Sequence, residues 1–284
     1  MTMNISLTTR HAPAKSAAAA LLDTREAFDS VAADYDGPRG NNSLIQDMRR
    51  EMWRWLDASF PPSARLLELG CGTGLDAIRM AERGHHITAT DWSPLMVSRT
   101  RARAERARVS ERVQALALGA HELDQLEGRT LYDGAYSNLG PLNCLPDLRA
   151  VSRECARLMR PGGRIVCSVI GRWCPWEISH YARRGDWARI RVRFARGMVP
   201  VRMNGRTVWT SYWTPREFYR AFADEFTLEH YRGICLLAPP PYLTWVKETY
   251  PRRYRQLWRW DRRLAGLPVL RLLGDHFLII MTRR

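Results

Sequence analysis

Apolar positions follow a helical period in the first sixty residues and then change to short apolar runs separated by helical stretches. Between 43 and 59, Leu44, Ile45, Met48, Met52, Trp55 and Leu56 fall on one stripe, and Pro61-Pro62 ends that helix. A shorter helix is expected over 24–34. Beyond Pro62 the runs 64–69, 86–90, 113–118, 133–138 and 164–170 have strand length and composition. Helices are expected between them at 75–83, from 93 to about 108, and at 146–159. Gly84 stands where a helix end takes the left-handed conformation, and Ser93-Pro94 supplies a cap followed by a first-turn proline. Such alternation of strand and helix predicts an α/β chain built on a parallel sheet.

After residue 170 the pattern departs from simple alternation. The segments 189–194 and 199–209 both alternate apolar with polar residues. Asn204-Gly205 inside the second is a two-residue hairpin signal. A β-containing cap over the C-terminal edge of the sheet is therefore expected at 171–213. Thr214-Pro215 opens a helix to about 224, a strand is expected at 226–237, and Pro239-Pro240-Pro241 breaks the chain. A helical insertion at 242–264 precedes a last strand at 276–281. The organisation reads as a flexible leader at 1–22, an N-terminal helical lid at 23–60, a cofactor-binding core at 61–170, the cap, and a C-terminal part at 214–284 that completes the sheet.

The first strand ends in Leu66-Leu67-Glu68-Leu69-Gly70-Cys71-Gly72-Thr73-Gly74, and the second in Asp91. Glycines at such a turn let the backbone approach a ligand, and an acid at the tip of the next strand accepts hydrogen bonds from ribose hydroxyls. A dinucleotide fingerprint would place a third glycine at 75, where Leu75 stands. The loop instead resembles motif I of the class I S-adenosylmethionine-dependent methyltransferases, in their small-molecule, type 11-like branch. Asp91-Trp92-Ser93-Pro94, Tyr132 to Asn138, and Leu158 to Val166 with its Pro161-Gly162-Gly163 turn resemble the later motifs in the same order. Upstream, Phe28-Asp29 and Ala33-Asp34-Tyr35-Asp36 resemble the helix that caps the cofactor. The resemblance implies a Rossmann-like seven-stranded sheet with an antiparallel last strand, an N-terminal helical lid and a cap insertion after strand five. It also implies S-adenosyl-L-methionine as cofactor.

On that resemblance Gly70, Cys71, Gly72 and Gly74 pass beneath the donor, Glu68 holds its cationic amino end, Asp91 binds the ribose diol, and Trp92 lies beside the adenine. Tyr35 belongs to the lid. The acid usual after strand three is missing from Gly119-Ala120-His121-Glu122, so backbone groups of Ala120 and the His121 side chain are candidate substitutes for adenine recognition, His121 also suiting a helix-capping or surface role. Asn138 is a candidate for the methionine moiety and also suits a turn-former. Asn143, Trp173, Trp176 and Glu177 are candidates for an acceptor wall, with Glu177 as a potential base. Each of these four also suits a purely structural role, as a turn-former or a packed Trp-Pro-Trp corner. No catalytic residue is identifiable, and no metal-ligand spacing stands out.

Charge changes the picture in one respect. The chain has 44 Lys+Arg against 29 Asp+Glu, a net charge of +15. Residues 171–284 hold 22 of the basic and 9 of the acidic residues, and eight of the eleven tryptophans. This distribution suits solvated arginines, an anionic or carrier-bound acceptor, or transient contact with an acidic membrane surface. The basic residues are interleaved with apolar ones and no RNA-binding module is evident, which argues against nucleic acid as partner. No run is long enough for a spanning helix, and six cysteines without a C-x-x-C pair suit reduced core thiols in a cytoplasmic protein. The expected function is methyl transfer to a small-molecule acceptor. The alternatives are an RNA or protein methyltransferase and a non-catalytic cofactor-binding scaffold.

Overall fold

The computed structural model describes residues 16–38, 40–126 and 131–284. In chain order the elements are α1 (Ala17–Val31), α2 (Ser43–Ser59), β1 (Arg65–Leu69), α3 (Leu75–Glu82), β2 (His86–Asp91), α4 (Pro94–Arg106), β3 (Val113–Ala117), β4 (Tyr132–Ser137), α5 (Leu148–Leu158) and β5 (Met159–Ile170). There follow α6 (Pro175–Ala182), α7 (Trp187–Val192), β6 (Val199–Met203), β7 (Arg206–Thr210), α8 (Pro215–Phe222), β8 (Phe226–Ile234), α9 (Thr244–Thr249), α10 (Pro251–Leu264) and β9 (His276–Arg283).

Seven strands form one sheet in the order β3-β2-β1-β4-β5-β9-β8. The pairs β1–β2, β1–β4, β2–β3 and β4–β5 are parallel, whereas β9 runs antiparallel to both β5 and β8. The expected Rossmann-like sheet with an antiparallel last strand is present. Side-chain alternation divides its two faces. Leu67, Leu69, Ala135, Ile165 and Phe277 pack with α5 and α8 on one side, and Leu66, Tyr136, Val166, Leu278 and Ile280 pack with α2 and α3 on the other. The order reverses at β1/β4, and the crevice at the carboxyl ends of these strands is the ligand edge of such sheets.

The hairpin forms as expected. Asn204 (φ 49°) and Gly205 (φ 80°) both take positive φ between β6 and β7. β7 lies against α1: Trp209 donates its backbone N–H to Thr24 Oγ1 (3.1 Å) and its indole N–H to Asp23 Oδ2 (2.9 Å). The excursion returns to its origin, since Arg172 N–H donates to the Trp213 carbonyl (2.9 Å). The N-terminal helix and the hairpin thus make one roof. α8 starts with a capping box between Thr214 and Glu217, a device worth about 1 kcal/mol.

Three expectations are corrected. The first helix starts at Ala17 and stops at Val31, so 17–22 is not leader; residues 1–15 lie outside the described part. Ser16 caps it by accepting from Ala19 N–H, and the alanine run favours helix. Residues 187–192 are helical, not extended. Asp186 caps them through Arg189 N–H, and a short alternating stretch without a partner strand does not fix its own conformation. β8 ends at Ile234, because Cys235 takes φ 56° and turns the chain.

Candidate cofactor and acceptor site

β1 delivers Glu68 and Leu69 to the ligand edge, and the chain then turns through Gly70 (φ 74°), Gly72 (φ 54°) and Gly74 (φ 83°). Gly70 and Cys71 donate their N–H groups to the Thr90 carbonyl (2.8 and 2.9 Å), which ties the loop to the end of β2. The three glycines have different reasons. A Cβ on Gly70 would stand 2.3 Å from Pro141 Cβ, and one on Gly74 would stand 2.8 Å from Thr100 Cγ2. A Cβ on Gly72 would meet only the Tyr35 ring, at 3.9 Å. Packing thus excludes side chains at 70 and 74, while Gly72 keeps open the space under Tyr35.

Asp91 accepts from Gly72 N–H through Oδ2 (2.8 Å) and from Ser93 N–H through Oδ1 (2.9 Å). Each oxygen keeps a lone pair for a ligand hydroxyl. Burial nevertheless raises its pKa to about 6, because two N–H bonds do not replace full hydration. Glu68 is 1% exposed, and its Oε2 has no hydrogen-bond partner within 3.5 Å among the described residues, with the equally buried Tyr136 hydroxyl as its polar neighbour. Burial, reinforced by the nearby Asp76 carboxylate, holds its pKa well above the usual carboxylate range. A buried acid with an orphaned oxygen is what a cationic amino group would complete. Trp92 meets the His121 ring edge-on at 4.5 Å, and Arg25 lies over the Trp92 ring at 5.7 Å. Among the described residues, His121 Nδ1 is inaccessible and unpartnered.

Sequence reasoning missed part of this site. Asp76 in α3 gathers the Arg49 guanidinium, Trp53 Nε1 (2.6 Å) and Asn138 Nδ2 (3.0 Å), leaving Asn138 Oδ1 without a partner. Arg49 lies inside the apolar stripe of α2, and that misplacement of a charge was the available signal. Thr73 Oγ1 donates to Asp36 (2.7 Å), and Arg103 pairs with the same carboxylate. These bonds clamp the turn that carries Tyr35 onto the glycine loop. Tyr35 itself follows α1 rather than lying on a helix. Its hydroxyl is pushed up to about 12, mainly by burial, with Arg49 opposing and Asp91 and Cys144 adding to the rise.

The acceptor candidates separate. Asn143 is fully buried and structural: its Oδ1 accepts from Ile170 N–H (2.9 Å), and its Nδ2 donates to the carbonyls of Ile170 (3.0 Å) and Ser211 (2.7 Å). Trp176 donates its indole N–H to the Leu237 carbonyl (2.9 Å). Trp173 is 43% exposed and packs edge-on against Phe194 at 4.7 Å. Glu177 is buried, and its Oε2 accepts from Arg193 (2.7 Å) and the Tyr242 hydroxyl (3.0 Å). Those bonds remove Glu177 from use as a free base.

Arg193 is the centre of this cluster. It also pairs with Asp275 (2.6 Å), donates to the Gly171 carbonyl (2.7 Å) and lies 5.2 Å over the Tyr212 ring. Cys174, Glu177 and Asp275 bring their ligand atoms within 4.8 Å of one another, and the cation these carboxylates face is Arg193. Burial pushes Asp275 up, but Arg193 and His276 outweigh it and hold the carboxyl below its usual range. Asp275 Oδ2 pairs with His276 Nδ1 (2.8 Å). His276 lies opposite Ile170, the last residue of β5, at the ligand edge.

Strand order, glycine loop and the acid at the tip of β2 agree with the class I S-adenosylmethionine-dependent methyltransferase core that the sequence resembles. Residues 66–163 match the family described as a methyltransferase domain. The chain is 32% identical over 154 residues to the ubiquinone biosynthesis O-methyltransferase of Xylella fastidiosa (strain 9a5c), covering 53% of this chain and 59% of that one. The corresponding protein of Xanthomonas axonopodis pv. citri (strain 306) is 32% identical over 143 residues, 49% of this chain and 56% of that one. The chain therefore spans less than two thirds of these curated relatives. Among solved structures, the CcbJ methyltransferase of Streptomyces caelestis superposes with TM-score 0.61 at 15% identity, covering 92% of this chain and 98% of that one. Geranyl diphosphate C-methyltransferase of Streptomyces coelicolor A3(2) superposes with TM-score 0.58 at 16% identity, covering 96% and 100%. These last two likenesses concern the fold.

Proposed function

We propose that the chain transfers a methyl group from S-adenosylmethionine to a small-molecule acceptor in the cytoplasm. The observation that carries this reading is the pair of unsatisfied polar atoms, Glu68 Oε2 and Asn138 Oδ1, both neighbours of the Asp76 carboxylate, together with a Gly72 whose open side faces the Tyr35 ring. They fit a ligand with a cationic amino end and a ribose. When bound, the sulfonium supplies an activated methyl for in-line displacement. The residues of the chain do the rest. Glu68 takes the amino end, Asp91 takes the ribose hydroxyls, Trp92 and His121 flank the base, and Tyr35 closes the pocket against water.

We assign cofactor binding to 61–170 and acceptor enclosure to the N-terminal part (23–60) and the cap (171–213). Cys144 joins the two regions. Burial raises its thiol, with Asp91 adding to the rise, and the thiol in turn adds to the upward shifts of Tyr35 and Tyr212. A roofed edge of this kind suits a small acceptor better than an RNA or protein chain. The curated relatives are O-methyltransferases, which favours oxygen as the accepting atom.

The test is incubation with methyl-labelled S-adenosylmethionine and a fractionated small-molecule extract. A labelled low-mass product that disappears with Asp91→Asn supports the proposal. Label found only in RNA or protein overturns it, as does failure to bind the cofactor by calorimetry.

A further inference from the structure

Eleven large apolar side chains are exposed among the described residues, and six of them fall between 245 and 272: Trp245, Tyr250, Trp260, Leu267, Val269 and Leu272. The same stretch holds Lys247 and seven arginines against two acids, Glu248 and Asp261. Asp261 is turned inward, where it accepts from Leu237 N–H (3.2 Å) and Ala238 N–H (2.9 Å). Opposite it, the outward face of α10 carries Arg252, Arg255, Arg259 and Arg263, with Trp260 51% exposed beside them and Arg263 5.6 Å over its ring. The inward face is pinned to α2, since Tyr254 donates its hydroxyl to Asp47 (2.6 Å). Among the described residues, this arginine and tryptophan face packs against no other element.

The loop after α10 adds a second, independent observation. Val269 has φ 68° and ψ −53°, and Leu270 N–H donates to the Pro268 carbonyl (2.9 Å). This is a γ-turn of the strained hand, centred on a β-branched residue. Its neighbours hold it there: Arg271 N–H donates to the Leu267 carbonyl (2.9 Å), and Gly274 N–H to that of Trp173 (2.8 Å). The result is a Leu-Pro-Val tip whose valine is 70% exposed. Strain that displays an apolar side chain to water stabilises nothing in the isolated chain.

We propose that α10 and the 267–272 tip form a docking face for an anionic lipid bilayer. Tryptophan suits the headgroup boundary, arginines attract acidic headgroups, and the aliphatic tip enters the acyl layer. The aliphatic, exposed Leu267-Pro268-Val269 tip beside the aromatics is what favours an acyl layer over a nucleic acid, which offers nothing for such a tip to enter. Contact is peripheral, since among the described residues no helix is long and apolar enough to cross a membrane. Tyr242, bonded to Glu177 two residues before α9, links this face to the cap, so docking would turn the acceptor side toward the lipid. The proposal stands apart from the reading of methyl transfer, and its test does not use activity.

The experiment is flotation of the full chain with phosphatidylcholine vesicles and with vesicles that also contain phosphatidylglycerol. Binding is expected only to the anionic vesicles and is expected to weaken with salt. Replacing Arg252, Arg255, Arg259 and Arg263 together by Gln should lower partitioning by at least about tenfold. Val269→Gly relieves the backbone strain, so the melting temperature should hold or rise while partitioning falls about threefold or more. Absence of binding to anionic vesicles at low ionic strength overturns the proposal. So does binding that both variants retain in full, and so does a tight, salt-sensitive RNA complex in its place.

Discussion

Asp91 offers the sharpest quantitative test, because one carboxyl carries both the ribose contacts and a displaced pKa. Only its ionised form has every lone pair available for the ribose hydroxyls. With the pKa at about 6, the ionised fraction falls from about nine tenths at pH 7 to about one tenth at pH 5. Cofactor affinity should therefore weaken about tenfold across that interval. Asp91→Asn removes the titration together with two charged hydrogen bonds, a loss of about 1.5–3 kcal/mol, or roughly 10- to 150-fold in Kd. Glu68, also raised, adds its own pH dependence to both proteins. The informative quantity is thus the difference in slope: between pH 7 and 5 the wild type should lose about one decade more than the variant. Calorimetric titration of S-adenosylmethionine at several pH values measures it directly. Parallel slopes would show that Asp91 does not bind as a carboxylate, and wild-type-like affinity in Asp91→Asn would place the pocket elsewhere.

Three further outcomes follow from the geometry. Gly70→Ala should prevent stable folding, since its Cβ meets Pro141 at 2.3 Å, whereas Gly72→Ala should cost about 1–2 kcal/mol for its positive φ and remain folded; thermal melts of the pair separate packing from conformation. Arg193→Ala leaves Glu177 and Asp275 buried without their cation and should destabilise the chain by about 3–5 kcal/mol, read by urea unfolding; a change below about 1 kcal/mol would refute the cluster's structural role. Asp91 and Asp261 both sit at about 6, above their unfolded value, so their native forms bind protons more tightly. As pH falls from 7 toward 4.5 they should raise the unliganded melting temperature, and saturating cofactor should reduce the part due to Asp91.

Much of the cofactor half was legible because its signals are local. A glycine at 70, 72 and 74, an acid at 68 and another at 91 announce themselves within a 24-residue window. The apolar runs between them alternate with helices, the pattern of a parallel α/β sheet. The Asn204-Gly205 hairpin was equally local, since two positive φ angles in succession are a property of those residues alone. Even there the environment was hidden. Nothing near Glu68 in sequence says that burial and Asp76 raise its pKa, or that Gly72 faces Tyr35 while Gly70 faces Pro141.

The acceptor half depended on contacts across the chain. Glu177, an apparent base beside two tryptophans, is consumed by Arg193 and Tyr242, sixteen and sixty-five residues away. Asn143 reads as a turn residue and proves to be a clamp between the end of β5 and the Ser211 carbonyl. Residues 187–192 alternate like a strand yet coil, because no neighbouring strand offered hydrogen bonds while Asp186 offered a cap. Backbone conformation at glycines, caps and hairpins is set by the residues that stand there. The protonation, accessibility and availability of a side chain are set by what the fold brings against it, and only the tertiary structure decided those.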